Sequence, residues 1–242
     1  MEKSVMRVNA GNRKLNNKGS ALVSVLVVTA FITIIGTTML YISAQNYQMK
    51  QTDYQNKQSF YEAEKAIDSL KALLVKDVQD AYLIAYNDTM NNYLKLGNAT
   101  DRKEYFQKRY HEELKKLWDA RVPAATGDAD ADAAARVTAL KNYMISGGLA
   151  AEADCIYRFD GYDVSPTTTT DPSTGTITTK ERFVLLGVRA KFTSGSYTNF
   201  LCTDICLELP ELELDESMAD GKLISMTDCV IYMNWHKTDY YD

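Results

Sequence analysis

Between Gly36 and Gly97 the chain has neither glycine nor proline, so nothing in that interval interrupts a helix. Charge is missing from an overlapping interval: no Asp, Glu, Lys or Arg occurs from Gly19 to Met49. Histidine is scarce, with only His111 and His236. There is no Gly-x-Ser-x-Gly nucleophile turn and no phosphate-cradling glycine loop. These gaps leave an enzyme without a recognisable catalytic set, and the expectation is a non-enzymatic protein without a cofactor. Cations are also outnumbered, 27 Lys and Arg against 32 Asp and Glu. Gripping phosphate backbones needs clustered Lys and Arg, so no nucleic-acid partner is expected.

What the uncharged interval does contain is an apolar centre, Ala21 to Ile42. At ~1.5 Å per helical residue it reaches ~33 Å, against roughly 30 Å of bilayer hydrocarbon. A secretory signal peptide has an apolar stretch of only about 7–15 residues, so this one is too long, although Ile42-Ser43-Ala44 imitates a cleavage site. Before it stand Lys3, Arg7, Arg13, Lys14 and Lys18 against the single acid Glu2, a net of +4. Excess Lys and Arg beside a span stay in the cytoplasm, which predicts a single-pass cell-membrane protein whose C-terminal domain faces outward. The whole chain is −5 and the leader +4, which leaves −9 on the outward part and its helix. An ordinary signal anchor fits the length but gives no reason for Gly19-Ser20 at the basic edge.

The stretch Asn17-Lys18-Gly19-Ser20-Ala21-Leu22-Val23-Ser24-Val25-Leu26 resembles the class III leader junction of type IV pilins and pseudopilins. Ser59-Phe60-Tyr61-Glu62-Ala63-Glu64-Lys65-Ala66-Ile67 is similar to a segment of minor pilins with a PilX-type N-terminal region, with Ala66 where that segment has glycine. The resemblance covers Lys18 to about Leu74. It implies a leader peptide 1–19, cut by a prepilin peptidase between Gly19 and Ser20, and a methylated N-terminus at Ser20. It also implies that other pilin or pseudopilin subunits are partners and that the protein is a surface pilus component after assembly. The family's major pilins carry a glutamate at the fifth mature residue, where it pairs with a neighbouring subunit's amine. Here that residue is Ser24. Its lack of charge points to a minor subunit acting in assembly initiation or at the tip. The alternative is an uncleaved, membrane-anchored extracellular binding protein.

Beyond the span, Phe60, Ala63, Ile67, Leu70 and Leu74 recur at helical spacing as one apolar stripe. The reading is a single helix over 20–76, ~85 Å long at ~1.5 Å per residue, lipid-bound first and packed on a domain afterwards. Tyr47, Tyr54 and Tyr61, spaced by sevens, suit an interfacial belt, a subunit contact or plain helix packing. A helical insertion follows over 77–150. Its first stripe is Leu83, Tyr86, Met90 and Leu94, ended by Gly97. A second helix is capped at Thr100 or Asp101, with Glu104 completing a capping box, and buries Phe106, Tyr110, Leu114 and Leu117. A third, with Val137, Leu140 and Met144, closes at Gly147-Gly148. Asp128, Asp130 and Asp132 begin it; Ala133 and Ala139 stand where a calcium loop needs glycine and glutamate, so an acidic helix start is the reading.

From Ala151 the pattern turns to strand. Cys155, Tyr157 and Phe159 alternate before the turn signal Asp160-Gly161. The Thr-rich stretch Ser165 to Thr179 reads as an exposed loop or hairpin tip. Val184, Leu186, Val188, Ala190 and Phe192 form one strand, Tyr197 to Leu207 the next until Pro210, and Cys229, Ile231, Met233 and Trp235 the last. The fold class expected is α+β: a long N-terminal helix on a small antiparallel sheet over 151–242, with a helical insertion. Four cysteines facing outward permit disulfides among Cys155, Cys202, Cys206 and Cys229. Cys202 and Cys206 share a strand face ~13 Å apart, beyond the roughly 7 Å bridging limit, so each is expected to pair with Cys155 or Cys229. A weak Cys-x3-Cys zinc pattern and buried free thiols are the other readings.

Overall fold

The computed structural model describes residues 17–170, 177–209 and 226–238. The chain divides into two compact units, the first ending at Asp53 and the second beginning at Tyr54. One helix, α1 (Asn17–Asn91), contributes to both.

In the first unit, α1 is solvent-facing all round: from Ala21 to Asp53 only Gln45 is even half-buried. In the second unit α1 buries a stripe that begins at Ser59 and continues through Ala63, Ile67, Leu70 and Leu74, as the spacing predicts. The helix does not stop at Lys76. With no glycine or proline before Gly97, Val78, Ala81, Tyr82, Ala85 and Thr89 carry the buried stripe on. Leu83 and Leu94, expected on that face, are exposed, Leu94 at 97%. Ala81 and Ala85 hold the buried face instead; alanine is small, and a pattern weighted to large side chains picks the wrong side.

Helix α2 (Ala99–Arg121) is capped by Asn98, not by Thr100 or Asp101. The Asn98 Oδ1 accepts from the Asp101 N–H at 2.9 Å, and the Asp101 carboxylate accepts from the Asn98 N–H at 3.4 Å, so the capping box sits three residues earlier than expected. Its face buries Phe106, Tyr110 and Leu114 completely, and Leu117 only partly. Trp118, absent from the expected stripe, is fully buried and lies among Tyr143, Phe159, Tyr162 and Phe183, with ring centroids 5.7–6.4 Å away. Helix α3 (Ala129–Ser146) starts at Asp128, whose side chain accepts from the Asp130 and Ala131 N–H groups. It buries Leu140 and Met144 and ends at Gly147.

A short helix, α4 (Ala150–Cys155), occupies the place where strand was expected, since Ala150, Ala151, Glu152 and Ala153 are good helix formers. The sheet follows: β1 (Ile156–Arg158), β2 (Gly161–Thr170), β3 (Ile177–Ser194), β4 (Tyr197–Leu207) and β5 (Val230–Thr238). All pairings are antiparallel, with β3 and β4 central. Asp160-Gly161 does not reverse the chain. β1 and β2 both lie along the same edge of β3, Arg158 opposite Arg189 and Gly161 opposite Leu186, as one strand broken at Phe159 and Asp160. The Thr-rich segment is paired strand as far as Thr170 opposite Ile177. Its centre, 171–176, lies outside the described residues, as does Pro210.

Two bulges set which face each strand buries. In β3 the register with β4 slips between Leu185 and Val188, and Gly187 sits there at φ 57. A side chain at Gly187 would also collide with the Asp160 carboxylate. Phe183 and Leu185 are therefore in the core before the bulge, and Val188 and Ala190 after it; Leu186, expected inward, is exposed. In β5 Val230 and Tyr232, opposite the inward Leu207 and Ile205, face the core instead of Ile231 and Met233, and a second bulge at Asn234, φ 53, shifts the phase of the residues after it. Asp204 on β4 lies between both bulges, accepting from the Gly187 N–H and from Asn234 Nδ2, each at 2.7 Å. β4 has no such break, and Asn199, Leu201, Thr203, Ile205 and Leu207 are all buried along it. The second unit is thus α+β: the long helix packed on a small antiparallel sheet, with α2 to α4 added and one core common to them.

Candidate membrane span and processing junction

From Ala21 onward α1 is long and apolar enough to cross a membrane, with a mean hydropathy of 2.2 over its most apolar window and none of that window buried. Leu22, Leu26, Phe31, Ile35, Met39 and Leu40 are among its exposed side chains. Its threonine hydroxyls are satisfied within the helix. Thr29, Thr33, Thr37 and Thr38 donate their hydroxyls to carbonyls one turn back, Val25, Thr29, Thr33 and Ile34, at 2.7–3.1 Å. In hydrocarbon a hydroxyl without an acceptor costs several kcal/mol, roughly 4–8 on a cyclohexane scale. Back-bonding removes that cost without help from a neighbour.

The junction residues Gly19 and Ser20 lie in the first turn of α1, two residues inside its start at Asn17. Most of the leader, 1–16, lies outside the described residues. Ser24 is an exposed residue of the same helix. Tyr47, Tyr54 and Tyr61 are all exposed, so none packs into the core of its own chain. No family model matches the chain, and neither a curated protein nor a solved structure matches it.

The cysteines stand apart from this segment, all four as free thiols. Cys155 ends α4, Cys202 and Cys206 lie on β4, and Cys229 closes the 3₁₀ turn Met226–Cys229 before β5. Burial is the main cause that pushes every one of these thiols above its ordinary value, Cys206 to about 11. A thiol held neutral is a poor nucleophile and a poor metal ligand. Among the described residues no three His, Cys, Asp or Glu side chains gather as a metal site. Sequence spacing does not reveal that Cys202 lies directly across from His236 in the β4–β5 register. The His236 ring, however, places Nδ1 2.6 Å from the Asn234 carbonyl, and His111 is buried on α2, edge-on to Tyr110.

The acidic start of α3 is structural. Asp132 accepts from the Thr126 N–H at 2.8 Å and hydroxyl at 2.7 Å and from the Gly127 N–H at 3.3 Å. These bonds, the Thr126 N–H first, hold its carboxyl below the ordinary carboxylate range. A cleft of about 470 Å³ between α1 and α3 is lined by Lys76, Asp77, Arg121 and Tyr143 among others. Its central charges satisfy each other. Arg121 forks onto Asp77, with Nη2 to Oδ1 at 2.9 Å, and the Tyr143 ring covers the guanidinium at 4.2 Å.

Proposed function

We propose that this chain is a structural minor pilin-like subunit of a type IV pilus or pseudopilus, processed by a prepilin peptidase between Gly19 and Ser20. The observation that carries the reading is the change in what α1 does along its length. Its apolar side chains from Ala21 to Ile42 are exposed, whereas from Ser59 the helix supplies the core of a folded domain. A rod of this kind is stored in lipid and is then free to pack among like rods, apolar contact replacing lipid contact, with the four threonine hydroxyls bonded within the helix in either setting. The basic leader, by its charge, keeps the junction cytoplasmic and the domain outside.

Ser24 offers no carboxylate to a neighbouring subunit's amine. A subunit that starts or tips a filament needs no such pairing on its far side, so this chain acts at initiation or at the tip. The role is non-catalytic. Its support is the leader-like junction, the exposed apolar helix and the thiols held neutral by burial.

N-terminal sequencing of the protein from cells that carry the peptidase is the direct test. Ser20 as first residue is the expected result. An intact leader would overturn it and leave an uncleaved, anchored surface binding protein. Low stoichiometry in sheared pili is expected for a tip role, and abundance equal to the main pilin would remove that role.

A further inference from the structure

We propose that a cleft between α1 and β5 receives an arginine side chain presented by a partner protein. The cleft has a volume of about 290 Å³ and is lined by Glu64, Ile67, Asp68, Tyr232 and Trp235. Ile67, 1% exposed, forms an apolar floor. Its aromatic wall is a product of the β5 bulge. Alternation from Ile231 and Met233 would carry Trp235 to the other side of the sheet, and the extra residue at Asn234 returns it to the α1 side. There the Phe60 ring braces it edge-on, centroids 6.1 Å apart, while the indole stays 42% exposed. The Tyr232 hydroxyl donates to Asp68 Oδ1 at 2.6 Å, and Lys71 Nζ already lies 4.8 Å from the Tyr232 ring centroid, so one face of this wall holds a cation.

The carboxylates argue for a second cation. Glu64 and Asp68 are four residues apart on α1, the spacing at which like charges repel. Four nearby acids have cations: Glu62 and Glu152 share Lys65, Asp77 holds Arg121, and Asp88 holds Arg109. Among the described residues Glu64 has neither a hydrogen bond nor an ion pair, and Asp68 has only the Tyr232 hydroxyl. An acidic mouth, an apolar floor and an exposed indole together fit a planar cation on an apolar stem. A guanidinium forks onto a carboxylate and stacks on an indole face, and its methylene stem suits the Ile67 floor. An acidic group would meet two like charges.

That the partner is a neighbouring subunit rests on the reading above; that the cleft takes an arginine does not. The chain has two tryptophans, Trp118 fully buried and Trp235 exposed, so emission from Trp235 reports on the cleft. The full chain in neutral detergent micelles is titrated at low salt with a blocked Gly-Arg-Gly tripeptide and with its glutamine and glutamate counterparts. A saturable change with the arginine peptide alone is expected, weakened by salt and absent in Trp235→Phe. The doubly neutralised variant Glu64→Gln with Asp68→Asn is expected to bind roughly tenfold more weakly. Should that variant fail to fold, Glu64→Gln alone, which keeps the Asp68–Tyr232 bond, is expected to weaken binding several-fold. An equal response to the glutamine peptide, or arginine binding unchanged by these substitutions, overturns the proposal. Arginine binding by protein that retains its leader in cells carrying the peptidase would support the cleft and separately remove the pilin subunit as its partner.

Discussion

The two parts of α1 are equally helical and oppositely used. Up to Asp53 its apolar residues face outward on every side, and beyond Ser59 they form one stripe that a sheet and three helices cover. A segment such as Ala21 to Ile42, long and apolar enough to cross a membrane, needs no particular side chain along its apolar length for that, because a bilayer asks only for length, low polarity and satisfied backbone groups. The second part depends on particular contacts. Replacing Leu70, fully buried in the stripe, by alanine should therefore cost about 2–5 kcal/mol of domain stability through lost transfer and a residual cavity. The same truncation at Ile32 should leave the denaturation midpoint of the domain where it was. Chemical denaturation followed by circular dichroism in micelles compares the two, and a loss at Ile32 similar to that at Leu70 would break the distinction.

The same contrast explains what the sequence can disclose. The candidate span is readable because length and low polarity are sums over residues, with no geometry in them. The stripe from Phe60 to Leu74 and the buried faces of α2 and α3 are readable because each keeps one helical period. The sheet is harder. The β3–β4 and β4–β5 pairings are each interrupted by an extra residue, at Gly187 and at Asn234, and each reverses the phase of what lies beyond it. A glycine inside an alternating run is the available signal in β3. Asn234 gives almost none, although asparagine is among the few residues that tolerate positive φ. The arginine cleft is invisible for another reason: Asp68 and Tyr232 are 164 residues apart, and only the β5 bulge brings Trp235 beside them.

Asp204 is the residue that holds both phase reversals, one on each neighbouring strand. Asp204→Ala leaves the Gly187 N–H and the Asn234 amide without their charged acceptor, at an expected cost of about 2 kcal/mol. Asp204→Asn should recover part of that, since its side-chain oxygen can still accept from Gly187. The comparison is sharpened by a second readout. If the bulges depend on Asp204, Trp235 should turn away from Phe60 in the alanine variant and its emission should shift. A stable variant with an unchanged Trp235 signal would show that glycine and asparagine φ preferences alone set the phase.

The smallest effect expected concerns charge, which the first part of α1 lacks from Ala21 to Met49. In the second unit Asp132 is ionised more easily than an ordinary carboxylate because the Thr126 N–H and hydroxyl and the Gly127 N–H bond its charged form. A carboxyl whose folded value lies below its unfolded one, roughly 3.9 for Asp, stabilises the fold above that unfolded value. The contribution is lost as pH falls through the lower folded value. Asp132→Asn should thus lower the thermal midpoint modestly at pH 7, with the difference constant down to roughly pH 5 and shrinking below about pH 4. A parallel pH series of both proteins reads this directly. A difference as large at pH 2 as at pH 7 would mean that the loop before α3 depends on the shape of the Asp132 side chain, and charge would then distinguish the two parts of the molecule less than packing does.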